Sequence, residues 1–203
     1  MHFTHIDHVE SMALSGLVCD AEAHVPGTLA VEVGDLSIKE RRRRLPVPAG
    51  PGGVVADYVP FYFAPRSPMM YVIDKGRVPQ YQGPIYDLVY LVSSIERLHQ
   101  CGCTLVISDR NASIGIAAFS ASPAEWDDLV DWDVMDLVMW QSTSEYPDRM
   151  ERRMAECLAH GHVPWAAIDQ VVTSTSNHAR HVAATLASLG IGTPVSVRRD
   201  WYF

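Results

Sequence analysis

The sequence predicts an α+β fold in one domain spanning residues 1–203, and three observations carry that expectation. Short β-favouring runs and helical patterns mix without the regular strand–helix alternation of a parallel sheet. There is no Gly-rich dinucleotide fingerprint and no internal repeat, which argues against a doubly wound sheet. A length of 203 residues, 48% hydrophobic and 20% charged, suits one core and excludes a disordered chain.

The elements follow in order. Ile6, Val9, Ala13 and Leu14 recur at helical spacing, so a helix is expected over 5–15 with Gly16 as its terminator. A second short helix is expected over 36–44, ended by Pro46, and the Pro/Gly-rich stretch 46–53 is a loop. Residues 59–63 are aromatic and β-favouring, although Pro60 requires a strand start or an edge. Ser67-Pro68 reads as an N-cap followed by proline at the first helical position. Further strands are expected over 85–92, 105–108, 156–160, 171–173 and 195–198. Helices are expected over 95–100, 124–130, 134–140 and 177–189, the last stopped by Gly190.

No apolar run approaches the roughly 18 residues of a spanning helix, and Met1–His5 lacks the basic and apolar regions of a signal peptide, so a cytoplasmic protein is expected. Cys19, Cys101, Cys103 and Cys157 read as reduced thiols, because Cys101-Gly102-Cys103 is too tight for paired zinc ligands. The net charge of −8 looks unfavourable for a nucleic-acid partner until it is located. Residues 111–148 hold eight acids and no Lys or Arg, so the rest of the chain has sixteen acids matched by its sixteen bases. Residues 37–77 reverse the balance, with eight bases against three acids.

Four adjacent arginines, Arg41–Arg44, point about 100° apart on a helix, so at most one or two turn inward. The run is read either as a solvated face or as a phosphate surface; an inward Arg could grip a pyrophosphate or carboxylate with two hydrogen bonds. The aromatics of 59–71 form a core strand or, with Arg66 at the helix start, a platform on which bases stack. Glu156 follows Arg152-Arg153-Met154-Ala155, and a carboxylate is what glycosyl transfer needs beside a centre that develops positive charge. Nine histidines invite a metal reading, but no H-E-x-x-H or paired Cys/His spacing occurs, and no G-x-S-x-G elbow supports serine catalysis. No metal is expected.

Taken in order, these segments resemble the DarT family of DNA ADP-ribosyltransferase toxins over nearly the whole chain. His2-Phe3-Thr4-His5 looks like the family's NAD-contacting H-x-T-H motif, and Glu40–Arg44 like its arginine helix. The stretch 57–69 is its most distinctive segment; Arg152–Glu156 resembles its catalytic-glutamate motif, and Asp200-Trp201-Tyr202-Phe203 its aromatic ending. Two positions depart from the pattern: His2 is the second residue where the family has several before it, and Ser11 stands where a glycine near the NAD cleft is usual.

The resemblance implies an ADP-ribosyltransferase (PARP-like) fold, α+β with a split central sheet and NAD as co-substrate in the cleft. It implies transfer of ADP-ribose to a base of single-stranded DNA, thymine in the nearest branch, and a macrodomain antitoxin as partner. Carried over by motif, Arg42 and Glu156 would be catalytic, and His2, Phe3, Thr4, Ser11 and Arg42 would contact NAD. Residues 141–152 would present the target base, with DNA contacts at Arg66, Ser67, Met69, Arg149 and Arg153. Unpaired DNA fits, because the ring nitrogen attacked is hidden in a duplex. Two other readings stand beside this one: a nucleotide- or DNA-binding module without catalysis, and NAD hydrolysis without transfer.

Overall fold

A computed structural model of the chain describes residues 1–23, 25 and 29–203. Its strands are β1 (His2–His5), β2 (Leu17–Val18), β3 (Tyr58–Tyr62), β4 (Leu88–Val92), β5 (Leu105–Ser108), β6 (Phe119–Ser120), β7 (Glu156–His160), β8 (His162–Val163), β9 (Gln170–Thr173) and β10 (Val195–Val197). Its α-helices are α1 (Val9–Ser15), α2 (Asp20–Ala23), α3 (Leu36–Arg42), α4 (Pro68–Asp74), α5 (Ile95–Gln100), α6 (Trp126–Leu129), α7 (Trp132–Met135), α8 (Arg149–Arg152) and α9 (Ser176–Ser188). One four-stranded sheet has the order β1-β4-β9-β10 and the other β3-β7-β5-β6, with a β2-β8 ribbon beside them. Apart from the parallel β9–β10 pair, the pairings are antiparallel, as an α+β fold requires.

Pro60 explains why there are two sheets. The edge strands β1 and β3 meet at one end, where the Tyr62 N–H donates to the Met1 carbonyl at 2.7 Å. Main-chain donors on one side of a strand recur every second residue, so the nitrogen at Pro60 faces the same gap as that of Tyr62. Proline has no N–H to give, and a backbone ladder cannot continue across it. The Pro60 carbonyl is met by the His2 ring instead, 2.9 Å from Nδ1.

Strands buried on both faces explain the continuous apolar runs in the sequence. Along β4, Val89 and Leu91 enter the main core while Leu88 and Tyr90 enter a second cluster on the other face. Along the other sheet, Val59, Phe61, Leu105, Ile107, Cys157 and Ala159 face the main core. The opposite face carries Tyr58, Val106 and Leu158. Continuing that face by two residues in β5 and β7, and by four from Tyr58 in β3, brings Tyr62, Glu156 and Ser108 into one row, and the pairing register puts Glu156 opposite both of the others.

Three expected elements differ. Residues 2–5, outside any expected strand, form β1 by pairing with β4, and the helix expected from His5 begins as a 3-10 turn at Ile6 and becomes α1 at Val9. The strand expected over 85–92 opens with a 3-10 turn, Ile85–Asp87, after Pro84. The helix expected over 134–140 is α7, which ends at Met135 because the Arg153 guanidinium takes the Val134 and Met135 carbonyls that another turn would need. All four cysteines are free thiols.

Candidate active site

Helix α3 starts on Asp35, whose side chain accepts from the Ser37 and Ile38 amides, and runs for seven residues. Of its arginine run only Arg42 is buried; Arg43 and Arg44 turn back to Glu40 on the surface. Arg42 reaches across to the first residue of β7. Its Nη1 donates to Glu156 Oε2 at 2.9 Å and Oε1 at 3.2 Å. The Ala112 amide, in the β5–β6 connection, donates to Oε1 at 3.0 Å, and the Glu156 amide donates to Ser108 Oγ at 3.2 Å. The carboxylate is therefore held from two sides, by Arg42 and the Ala112 amide, while the Ser108 hydroxyl anchors its backbone, and Oε2 is the oxygen that bonds only to Arg42.

The Glu156 side chain is 1% exposed and that of Arg42 10%. Burial alone would lower the Arg42 pKa, but the adjacent Glu156 carboxylate more than reverses this and holds it above the ordinary arginine value. Burial, reinforced by the same carboxylate, raises the Tyr62 phenol, which remains protonated. A buried ion pair rarely outperforms apolar packing of the same volume, so its presence here points to chemistry rather than to stability. Arg42 Nη2 is buried with no hydrogen-bond partner among the described residues, a donor in reserve for an acceptor from outside them.

A cleft opens beside this pair, lined in part by His2, Phe3, Thr4, Arg42, Tyr62 and Met69. His2 is held neutral, its pKa lowered to about 4 chiefly by burial, and the Phe3 ring stacks on Tyr62 at 6.1 Å and 15°. Glu156 lies behind Arg42, outside the lining. The orphaned Nη2 and the aromatic and hydroxyl-bearing wall fit a dinucleotide with acceptor oxygens and a stacking ring.

The other expected site residues fall elsewhere. Ser11 is exposed on α1, bonded to the His8 carbonyl at 3.0 Å, and does not line the cleft. Ser67 is 1% exposed, its hydroxyl accepting the Met70 amide as the cap of α4. Arg153 is 4% exposed, and its guanidinium donates to the carbonyls of Val134, Met135 and Pro65. Arg66 adopts φ 54°, strained for a non-glycine residue, and lies 4.5 Å over the Phe203 ring. Arg149 lies 4.4 Å over the exposed Tyr146 ring.

Sequence reasoning missed Tyr62, the Ala112 amide, and the lining residues Asn111 and Met154. Tyr62 had a signal, since alternation places it on the Tyr58 face of β3. Among the described residues, no group of three or more His, Cys, Asp or Glu could hold a metal.

A split α+β core with an arginine–glutamate pair beside its cleft defines an ADP-ribosyltransferase fold. The family model described as ssDNA thymidine ADP-ribosyltransferase, DarT, matches residues 1–203, and the chain belongs to the DarT family. A curated DNA ADP-ribosyl transferase of Thermus sp. (strain 2.9) is 33% identical over 204 residues, covering 100% of this chain and 94% of the relative. The solved structure of Thermus sp. 2.9 DarT in complex with ADP-ribosylated ssDNA superposes with a TM-score of 0.90 at 33% identity, over 100% of this chain and 94% of that one. The same protein in complex with NAD+ gives 0.85 at 31% identity, over 100% and 96%.

Proposed function

We propose that this chain, acting as one domain over 1–203, transfers ADP-ribose from NAD to a thymine of single-stranded DNA and releases nicotinamide. The observation that carries the proposal is the buried Arg42–Glu156 pair, with Arg42 lining the cleft and its Nη2 unpartnered among the described residues. The Thermus relative, solved both with NAD+ and with ADP-ribosylated ssDNA, supports the choice of substrates.

NAD supplies the ADP-ribosyl group and a nicotinamide that is already cationic, so departure needs no general acid. What it needs is a negative charge near the ribosyl carbon, and Glu156 is the buried carboxylate within reach of the cleft. Arg42 stands between them, so it yields one contact when its Nη2 engages the dinucleotide, leaving Oε2 to meet substrate. His2, Phe3 and Thr4 hold the nicotinamide end. The attacking base must lose its imide proton; a guanidinium held above its usual pKa cannot accept one, so Oε2 of Glu156 is the acceptor. Arg66, Met69 and Arg149 guide the strand, and residues 141–152 present the base.

The biological role we infer is that of a toxin paired with a macrodomain antitoxin that removes the modification, acting in the cytoplasm. No helix among the described residues is long and apolar enough to cross a membrane. Mass spectrometry of a thymine-containing single strand incubated with NAD tests the activity. An adduct heavier by one ADP-ribose, absent with Glu156→Ala, is expected; modified protein with unmodified DNA would sink the substrate assignment. Nicotinamide release that ignores added DNA would mark a hydrolase, and DNA binding without any release would mark a binding module.

A further inference from the structure

Beside Thr4 stands a histidine that the reaction as proposed does not use. His8 is 3% exposed, at the end of the 3-10 turn that leads into α1. Its two ring nitrogens have different partners. Nδ1 lies 2.7 Å from Thr4 Oγ1, and Nε2 accepts the Val31 N–H at 3.1 Å. The second contact fixes the tautomer: a main-chain N–H can only donate, so Nε2 is bare and the ring proton sits on Nδ1. Thr4 Oγ1 must then accept that proton and keep its own. Among the described residues nothing else bonds to the Thr4 hydroxyl, and Thr4, His8 and Val31 all line the cleft.

We propose that His8 is a positioning residue for NAD: it obliges the Thr4 hydroxyl to donate into the cleft, toward an acceptor oxygen of the dinucleotide, and it ties the cleft wall 31–33 to α1. The proposal rests on the reading of this cleft as the NAD site. It also assigns a protonation state to the binding-competent form. A proton on Nε2 would set two donors against each other at the Val31 contact, and the wall would part from the ring.

The groups around the ring bear on when that happens. Burial, then repulsion from His5, lowers the His8 pKa; Asp7 and Glu32 pull the other way, and Lys39 adds to the lowering. The His5 ring is 6.1 Å away, and His2 faces the same site from β1. A histidine with a lowered pKa in the folded chain is neutral there at physiological pH. Its contribution is full above the usual imidazole value of about 6.5 and is lost as the pH falls through the lower folded value.

Two measurements test this. Nitrogen NMR of His8 in the unliganded chain at about pH 7.5 should show a proton on Nδ1 and a bare Nε2; a proton on Nε2 overturns the proposal whether or not NAD binds. Calorimetric titration with NAD across about pH 5–8 should show affinity falling on the acid side. His8→Phe should weaken NAD about tenfold at neutral pH with kcat at saturating NAD unchanged. His8→Gln, whose amide can accept from Val31 and donate to Thr4, should keep the affinity and lose the acid dependence, and it serves alone should the Phe variant not fold. Wild-type affinity in His8→Phe, or an undiminished acid loss in His8→Gln, overturns the proposal. No NAD binding by the wild type at any pH, with the tautomer as stated, overturns instead the assignment of the cleft to NAD.

Discussion

Two arginines are buried beside the cleft and its rim, and they differ in what they face. Arg42 meets a carboxylate, and its pKa is held above the ordinary value; Arg153 meets only neutral carbonyls, and burial lowers its pKa. Carbonyl dipoles can satisfy a guanidinium's hydrogens without cancelling its charge, whereas a carboxylate cancels it at the cost of burying a second ion. The first arrangement is a staple, joining α7 and Pro65 to the approach of β7. The second is a poised pair that a substrate can open. A cluster of arginines in a sequence does not separate these roles; the partner does.

The largest effect should come from the poised pair. Glu156→Gln keeps the volume but leaves the Arg42 charge uncompensated, so activity should fall on the order of 10³-fold and stability by about 3–5 kcal/mol. Nicotinamide release and a melting curve on the same sample check both halves; near-normal turnover would remove Glu156 from the chemistry.

Arg153→Ala should act on stability alone, lowering unfolding free energy by about 2–4 kcal/mol, since it uncouples three carbonyls from a charged donor. Denaturant titration reads this, and Arg153→Lys should not restore it, because an ammonium cannot reach three fixed carbonyls. Unchanged stability with lost DNA binding would return Arg153 to the DNA surface.

Smaller effects are expected at the half-buried cations Arg66 and Arg149. Arg66→Ala and Arg149→Ala should each reduce the slope of log affinity against log salt for single-stranded DNA by about one, less if the contact is partial. An unaltered slope in both would place the strand elsewhere. Charge reversal at Asp127 and Asp128, exposed and without an ion pair among the described residues, should change neither affinity nor slope. A large gain would mean that DNA passes the acidic segment.

Legibility in the sequence followed locality. Strands β5 and β7 and helix α5 begin and end where expected, because turn or cap residues bound short apolar runs. The extent of α7 was illegible, since its terminator is a side chain eighteen residues later. So was β1, which exists only through pairing with β4. Arg42 and Glu156 are 114 residues apart, and no spacing rule relates them; motif resemblance named both, and the fold brought them into contact. The DNA residues were less legible, because capping by Ser67 and stapling by Arg153 look, in a sequence, like exposed polar chemistry.

The cleft reaches Tyr62 where the two sheets do not zip together, with Glu156 and Ser108 of the same row buried behind it. A valine at position 60 would be a better strand former and would restore a main-chain donor. By ordinary propensity it should stabilise the sheet, and by closing the seam it should seal the reaction chamber. The cleft is, in this sense, the negative image of one hydrogen bond that an imino acid withholds.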